Sequence, residues 1–335
     1  MTRIGIGVSV LVAAVVLVTG CGELRLGVSS RLSDEVTAQT LRLGEIKPTW
    51  AAQGLNARAR STMEGEVRVP LAFPGGQPHV RVVHSQGGSR KMMFDTGASL
   101  TVLSQREALR HGALWVDPRD VPEISARGVL GTESFQPAML PGLQIGAWNA
   151  GPVQILVPPA NAQTGLRGGL AILGFGTVAR SCSYVTVDYP ARELVLGFGK
   201  SYQPSNRTNV RRSEFFVESG VPMTRLRSGR VSWDAILDTG SFNGIEISAS
   251  VARAMGREHE GIVVRGMSVA GVGGTKTSEE MGLRHIVLPE LRAMGMTHRK
   301  AQVDIAPGPP RVGSFFFQDY KVTFDVRREK LWLEW

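Results

Sequence analysis

Apolar and polar positions fall into three kinds of run along this chain. The first is continuous: residues 8–18 are apolar apart from Ser9. No segment reaches the roughly 18 apolar residues that a helix needs to cross a bilayer. The second kind alternates. Val185-Thr186-Val187-Asp188 and Glu193-Leu194-Val195-Leu196 flank a turn, as do Val322-Thr323-Phe324-Asp325 and Lys330-Leu331-Trp332-Leu333. A period of two across a turn predicts a β-hairpin in each place. The third kind is short and ends on an acid: Met92-Met93-Phe94-Asp95 and Ala235-Ile236-Leu237-Asp238 each read as a buried strand.

Those two acids head a repeat. Both runs continue as Asp-Thr-Gly, at Asp95-Thr96-Gly97 and Asp238-Thr239-Gly240. One such triplet is a common turn, with the acid accepting backbone hydrogen bonds. Here the downstream spacing is also shared. The separation from Asp95 to Gly128, in Gly128-Val129-Leu130-Gly131, equals that from Asp238 to Gly271, in Gly271-Val272-Gly273-Gly274. Ile172-Leu173-Gly174 then follows Asp95 at nearly the same separation as Arg311-Val312-Gly313 follows Asp238. The alternating hairpins close each copy. Upstream the spacing differs, because Pro70 stands further before Asp95 than Pro222 does before Asp238. Matching those prolines suggests an insertion in the first copy, around Pro74-Gly75-Gly76-Gln77-Pro78. The expected organisation is a first domain over 64–200, a linker at 201–210 within a stretch rich in Gly, Pro, Ser and Asn, and a second domain over 211–335.

Composition agrees with that division. A chain of 335 residues is about twice the usual size of a single core. With 42% hydrophobic residues and 20% charged, it has the material for ordinary cores and is not a disordered chain. Forty glycines without a three-residue period exclude a collagen-like rod and fit many turns. The net charge is +9, and its densest patch spans Arg207 to Arg230. That patch has no interleaved stacking aromatics and no recognition helix, so no nucleic-acid partner is expected. It reads as solvated charge around a linker, with weak attraction to anionic lipid as the other option.

The N-terminus has Arg3, the short apolar run and then Val18-Thr19-Gly20-Cys21. This resembles a secretory signal ending in the lipobox of bacterial lipoproteins. The resemblance implies cleavage after residue 20, lipid on Cys21, a polar tether over 21–63 and a place in the cell envelope. Gly22 after the cysteine favours the periplasmic face of the outer membrane. Cys182 would then be the single remaining thiol, without a disulfide partner, and is expected to be buried.

Taken as a set, the Asp-Thr-Gly strands, the glycine-bearing hairpins and the apolar-apolar-Gly strands resemble the aspartic protease superfamily. Halves of this length are most similar to retropepsin-like domains. The resemblance implies an all-β fold with two retropepsin-like β-barrel domains from an internal duplication, in a pepsin-like bilobal arrangement. It implies an aspartic endopeptidase in which Asp95 and Asp238 form one intrachain catalytic dyad acting on a peptide or protein substrate. Thr96 and Thr239 would lock the two loops by crossed hydrogen bonds, and Gly97 and Gly240 would let them meet. Gly128, Gly131, Gly271, Gly273 and Gly274 would sit in flap-like hairpins over substrate. No cofactor and no metal are implied. Ser241 follows the second triplet where Ala98 follows the first, so its hydroxyl is expected to donate to Asp238 and make it the more acidic member.

Two other readings stand beside this one. The same duplicated fold could be a non-catalytic module that binds peptides or envelope proteins, or each half could pair with its counterpart in another chain. Elsewhere the residues read as structural. Asp188 and Asp325 suit hairpin turns, the six histidines lack metal-ligand spacing, and Trp148 and Trp233 suit core packing better than a cleft wall.

Overall fold

The computed structural model describes residues 40–41, 62–84, 88–116, 124–128, 130–159, 171–205, 207–271 and 274–335. The architecture is all-β and bilobal, with two similarly built halves and only short helices. In the first half, Ser89–Asp95 runs antiparallel to His79–His84 and parallel to Ala171–Gly174. Ala171–Gly174 is antiparallel to Thr101–Leu103, which in turn lies parallel to Val153–Val157. The second half repeats the pattern. Val231–Asp238 is antiparallel to Val221–Ser228 and parallel to Arg311–Gly313, while Ile245–Ile247 is antiparallel to Arg311–Gly313 and parallel to Met296–Ile305.

The halves are joined by a shared antiparallel sheet. Its strands, in spatial order, are Gly65–Ala72, Glu193–Phe198, Tyr184–Asp188, Lys321–Asp325, Lys330–Glu334 and Val210–Glu214. The alternation read from residues 185–196 and 322–333 forms its four central strands. At the middle, Thr186 faces Thr323 and their hydroxyls lie 2.7 Å apart, both buried. On one side of this sheet Phe324 packs against Phe175 and Phe215 from the two halves, so a single apolar core runs through both. Asp188 and Asp325 close the hairpin turns, accepting from the amides of Ala191 and Arg328.

The strand pairing also corrects the upstream alignment of the copies. Ala72 pairs with His79 in the first half as Phe216 pairs with Met223 in the second. His79 and Met223 then face Met93 and Ile236, which hold matching places just before their aspartates. His79 and Met223 thus precede Asp95 and Asp238 at almost equal separations, and the large insertion read into the first copy is absent. Matching Pro70 to Pro222 compared two prolines at different places in the ladder; the counterpart of Pro222 is Pro78.

The connection between halves is pinned. Tyr202 is buried against Tyr184 and Trp332, and its hydroxyl donates to Glu334. Within the expected tether, Thr40–Leu41 pairs in parallel with Leu114–Val116. Residues 1–39, with the signal segment and Cys21, lie outside the described residues. Among the described residues no helix is long and apolar enough to cross a membrane.

Candidate active site

Asp95 and Asp238 each end a strand and face a glycine on the neighbouring parallel strand, Gly174 and Gly313. The chain turns at once into Thr96-Gly97 and Thr239-Gly240, and the two turns interlock across the halves. The Thr96 amide donates to Thr239 Oγ1 at 3.0 Å and the Thr239 amide donates to Thr96 Oγ1 at 2.9 Å. Each hydroxyl passes its own proton to a backbone carbonyl of the opposite half, Thr96 to Leu237 at 2.5 Å and Thr239 to Phe94 at 2.7 Å. All four threonine groups are buried and paired, as buried polar atoms must be to avoid a desolvation cost.

The glycines then set how closely the acids approach. A Cβ on Gly97 would stand 2.6 Å from the carboxyl carbon of Asp238, and one on Gly240 would stand 2.4 Å from that of Asp95. Any side chain there would push the opposite carboxyl away. The two carboxyls are fully buried, and each is pressed against the other half's loop.

Their surroundings are not equivalent. Asp95 Oδ1 accepts from the Gly97 amide at 2.8 Å, and Asp238 Oδ1 from the Ser241 amide at 3.0 Å. The Oδ2 atoms receive no donor from the described protein. Burial lifts the Asp95 pKa well above the usual carboxylate range, and the neighbouring Asp238 carboxyl adds to it. Burial also lifts Asp238. There the positive charge of Arg311 leads the opposing effects, followed by the neighbouring Asp95 carboxyl and the amides of Ser241 and Gly240. Burial thus favours the protonated form at both acids, and the charge of Arg311 works against it at Asp238.

Sequence reasoning attributed this asymmetry to the hydroxyl of Ser241. In the structure the bond to Asp238 comes from the Ser241 backbone amide, a group that Ala98 also possesses, so the side chain does not make the difference. The charged side chain that opposes the lift at Asp238 is Arg311, which the sequence pattern did not single out. The signal was present as a charge at the first position of an otherwise apolar-apolar-Gly triplet. Two further supports join the second loop. Ser314 Oγ donates to the Thr239 carbonyl at 2.8 Å and accepts from the Tyr189 hydroxyl at 2.8 Å, which ties the loop to the shared sheet. Gln77 Nε2 donates to the Gly240 carbonyl at 2.5 Å from the first half.

The glycine-bearing segments are hairpins. Ile124–Gly128 pairs with Gly131–Leu140, and Ser268–Gly271 with Gly274–Thr277; Gly128 faces Gly131 and Gly271 faces Gly274. Gly273 lies outside the described residues. Cys182 is buried, and burial pushes its thiol pKa up, so it is no ready nucleophile. Trp148 and Trp233 are core residues. Among the described residues, no group of three or more His, Cys, Asp or Glu is placed to hold a metal ion.

Fold and site together define a two-lobed β protein in which two interlocked Thr-Gly turns meet at the junction of the halves, each buried aspartate lying against the turn of the other half. In sequence, residues 80–175 match the model of the Aspartyl protease family, which supports a place for the chain in the aspartic protease superfamily. That segment contains Asp95 and the first hairpin. No curated protein matches the chain. Among solved structures, the chain is similar to an aspartic proteinase from Irpex lacteus, at 15% identity and a TM-score of 0.49, over 80% of this chain and 97% of that one. It is also similar to Basic 7S globulin from soybean, at 11% identity and a TM-score of 0.49, over 81% and 95%.

Proposed function

We propose that the protein is an aspartic endopeptidase with one dyad, Asp95 and Asp238, formed within a single chain. The observation that supports this reading is the reciprocal approach of Gly97 to Asp238 and of Gly240 to Asp95, each buried carboxyl lying against the loop that carries the other. Two such groups cannot both ionise, so they share one proton. Charged Asp238 takes a proton from a water molecule, and the water oxygen attacks the carbonyl carbon of a peptide bond. Protonated Asp95 gives its proton to the carbonyl oxygen. Collapse of the tetrahedral intermediate breaks the C–N bond as the amine nitrogen takes up a proton. In this arrangement both carboxyls are shielded from solvent, so peptide binding entails opening of the protein over them. The peptide would then lie extended beneath the hairpins carrying Gly128, Gly131, Gly271, Gly273 and Gly274.

The lipobox-like Val18-Thr19-Gly20-Cys21 is the basis for placing this enzyme on a lipid anchor at Cys21, on the periplasmic face of the outer membrane. Globomycin-sensitive processing and loss of lipid from Cys21→Ser would test that part.

The activity is tested with the full chain and a diverse peptide mixture across acid to neutral pH, with products read by mass spectrometry. Asp95→Asn and Asp238→Asn should each abolish cleavage. Cleavage by either variant would refute the shared dyad, and a folded wild-type protein that cuts nothing would leave the peptide-binding module as the better reading.

A further inference from the structure

One buried ion pair sits where the duplication calls for apolar contacts. Ile172 faces Met93 on one side and Val102 on the other. Its counterpart Arg311 faces Ile236 and Glu246. Both residues stand two places before the glycine that pairs with the aspartate. In the first half, Ile172 and Val102 belong to an apolar cluster with Met93, Ala98, Leu100, Phe135 and Leu156. In the second half, Arg311 and Glu246 are almost wholly buried and form an ion pair; Asn243 also donates to Glu246, and Arg311 reaches the Pro307 carbonyl at 3.5 Å.

Stability does not explain the exchange. A buried ion pair commonly contributes no more than a well-packed apolar pair of similar volume, because desolvation offsets the attraction. Here the same fold contains the apolar solution at the matching position. What the exchange adds is a buried cation on the strand beside Asp238, two residues before the glycine that faces it, where the strand beside Asp95 has Ile172; its charge acts most on Asp238 and also reaches Asp95. Among the described residues, the ionisable groups that act on the two acids include each other and Arg311, Tyr189 lies beside Asp238, and Glu246 pairs with Arg311. Tyr189 stays neutral, since burial raises its pKa, and its hydroxyl is engaged by Ser314. Glu246 opposes the field of Arg311 and is the carboxylate that its guanidinium contacts.

We propose that Arg311, held in place by Glu246, is a positioning residue that keeps Asp238 as the charged member of the pair and leaves the shared proton on Asp95. The duplication thereby yields two chemically unlike acids from two like loops, so base and acid are assigned before substrate arrives. This rests on the endopeptidase reading for its consequence in catalysis, though not for the protonation itself.

The test transplants the first half's solution into the second by making Arg311→Ile and Glu246→Val together in the full chain. The Cγ signals of the two aspartates are titrated by carbon-13 NMR, and kcat/KM is profiled against pH in parallel. Loss of the nearby opposite charge should raise the Asp238 midpoint by about one pH unit or more. The acid limb of kcat/KM should move up with it. An unchanged midpoint in the folded double variant would overturn the proposal. If that variant fails to fold, Glu246→Gln keeps the cation and removes the opposing charge. The Asp238 midpoint should then fall, and a rise or no movement would overturn the proposal. The NMR titration reads the pair even if no peptide is cut, so failure of the endopeptidase reading remains distinct from failure of this one.

Discussion

Thr96 and Thr239 each donate an amide proton to the other's hydroxyl, at 3.0 and 2.9 Å, while the hydroxyl protons go to carbonyls of the opposite half. The result is a closed four-bond lock between two segments far apart in sequence. Replacing either threonine by valine leaves its shape but strands a buried amide and a buried carbonyl, at about 1–3 kcal/mol each. The two substitutions should be strongly coupled, because the first already breaks the lock. A double-mutant cycle by chemical denaturation should return a coupling of about 1 kcal/mol or more, and simple additivity would count against a cooperative lock.

Gly97→Ala and Gly240→Ala place a methyl group within 2.6 and 2.4 Å of the opposite carboxyl carbon. Overpacking of this kind costs roughly 1–3 kcal/mol. The displaced acid should also lower kcat by about a hundredfold or more, with a much smaller change in KM. A variant of full activity would show that the loops have slack that the geometry does not suggest.

Protonation of the pair ties stability to pH. The folded-state pKa of Asp95 is raised above its unfolded value of about 3.9, so in that window the folded state binds more protons than the unfolded one. Stability contributed by the protonated acid is complete below the unfolded pKa and is lost as pH rises toward the folded one. Asp95→Asn removes this slope. Unfolding free energies measured upward from the unfolded pKa should therefore decline less in the variant than in the wild type, and parallel curves would contradict the assignment.

Tyr189→Phe deletes the donor to Ser314 Oγ, which itself holds the Thr239 carbonyl. The expected cost is about 1 kcal/mol of stability, because Ser314 keeps its own donated bond. Ser314→Ala should cost more, since it strands the tyrosine hydroxyl and the carbonyl together. Equal losses, measured by chemical denaturation, would mean that the chain does not act in series.

Much of the fold was legible because it is written locally. Each aspartate closes an apolar run, each hairpin alternates with period two, and the spacing from Asp95 to Gly128 repeats from Asp238 to Gly271. Three things were not. The upstream register depended on which strands pair, and Pro70 and Pro222 look alike in sequence while Pro78 is the residue in the matching place. The partner of Arg311 is Glu246, distant in sequence and on another strand, so its buried pairing could not be read from either neighbourhood. Ser241 was credited for its side chain, whereas the atom that matters is its amide, which no side-chain inventory distinguishes from that of Ala98.

The sheet that joins the halves has a consequence for the history of such a chain. Without residues 211–335, the strand Tyr184–Asp188 would present a bare edge of backbone donors and acceptors. The partner it lacks is a strand of its own kind, because Lys321–Asp325 occupies the matching position in the other copy and meets it antiparallel, nearly about a twofold axis through Thr186 and Thr323. A lone half is thus built to find a second one, as the protomer of a symmetric dimer. Joining two such protomers through residues near 201–210 makes their meeting independent of concentration. It also frees each copy to change by itself, which a dimer of identical chains forbids: an arginine under one aspartate and an isoleucine under the other can exist only once the two are encoded separately.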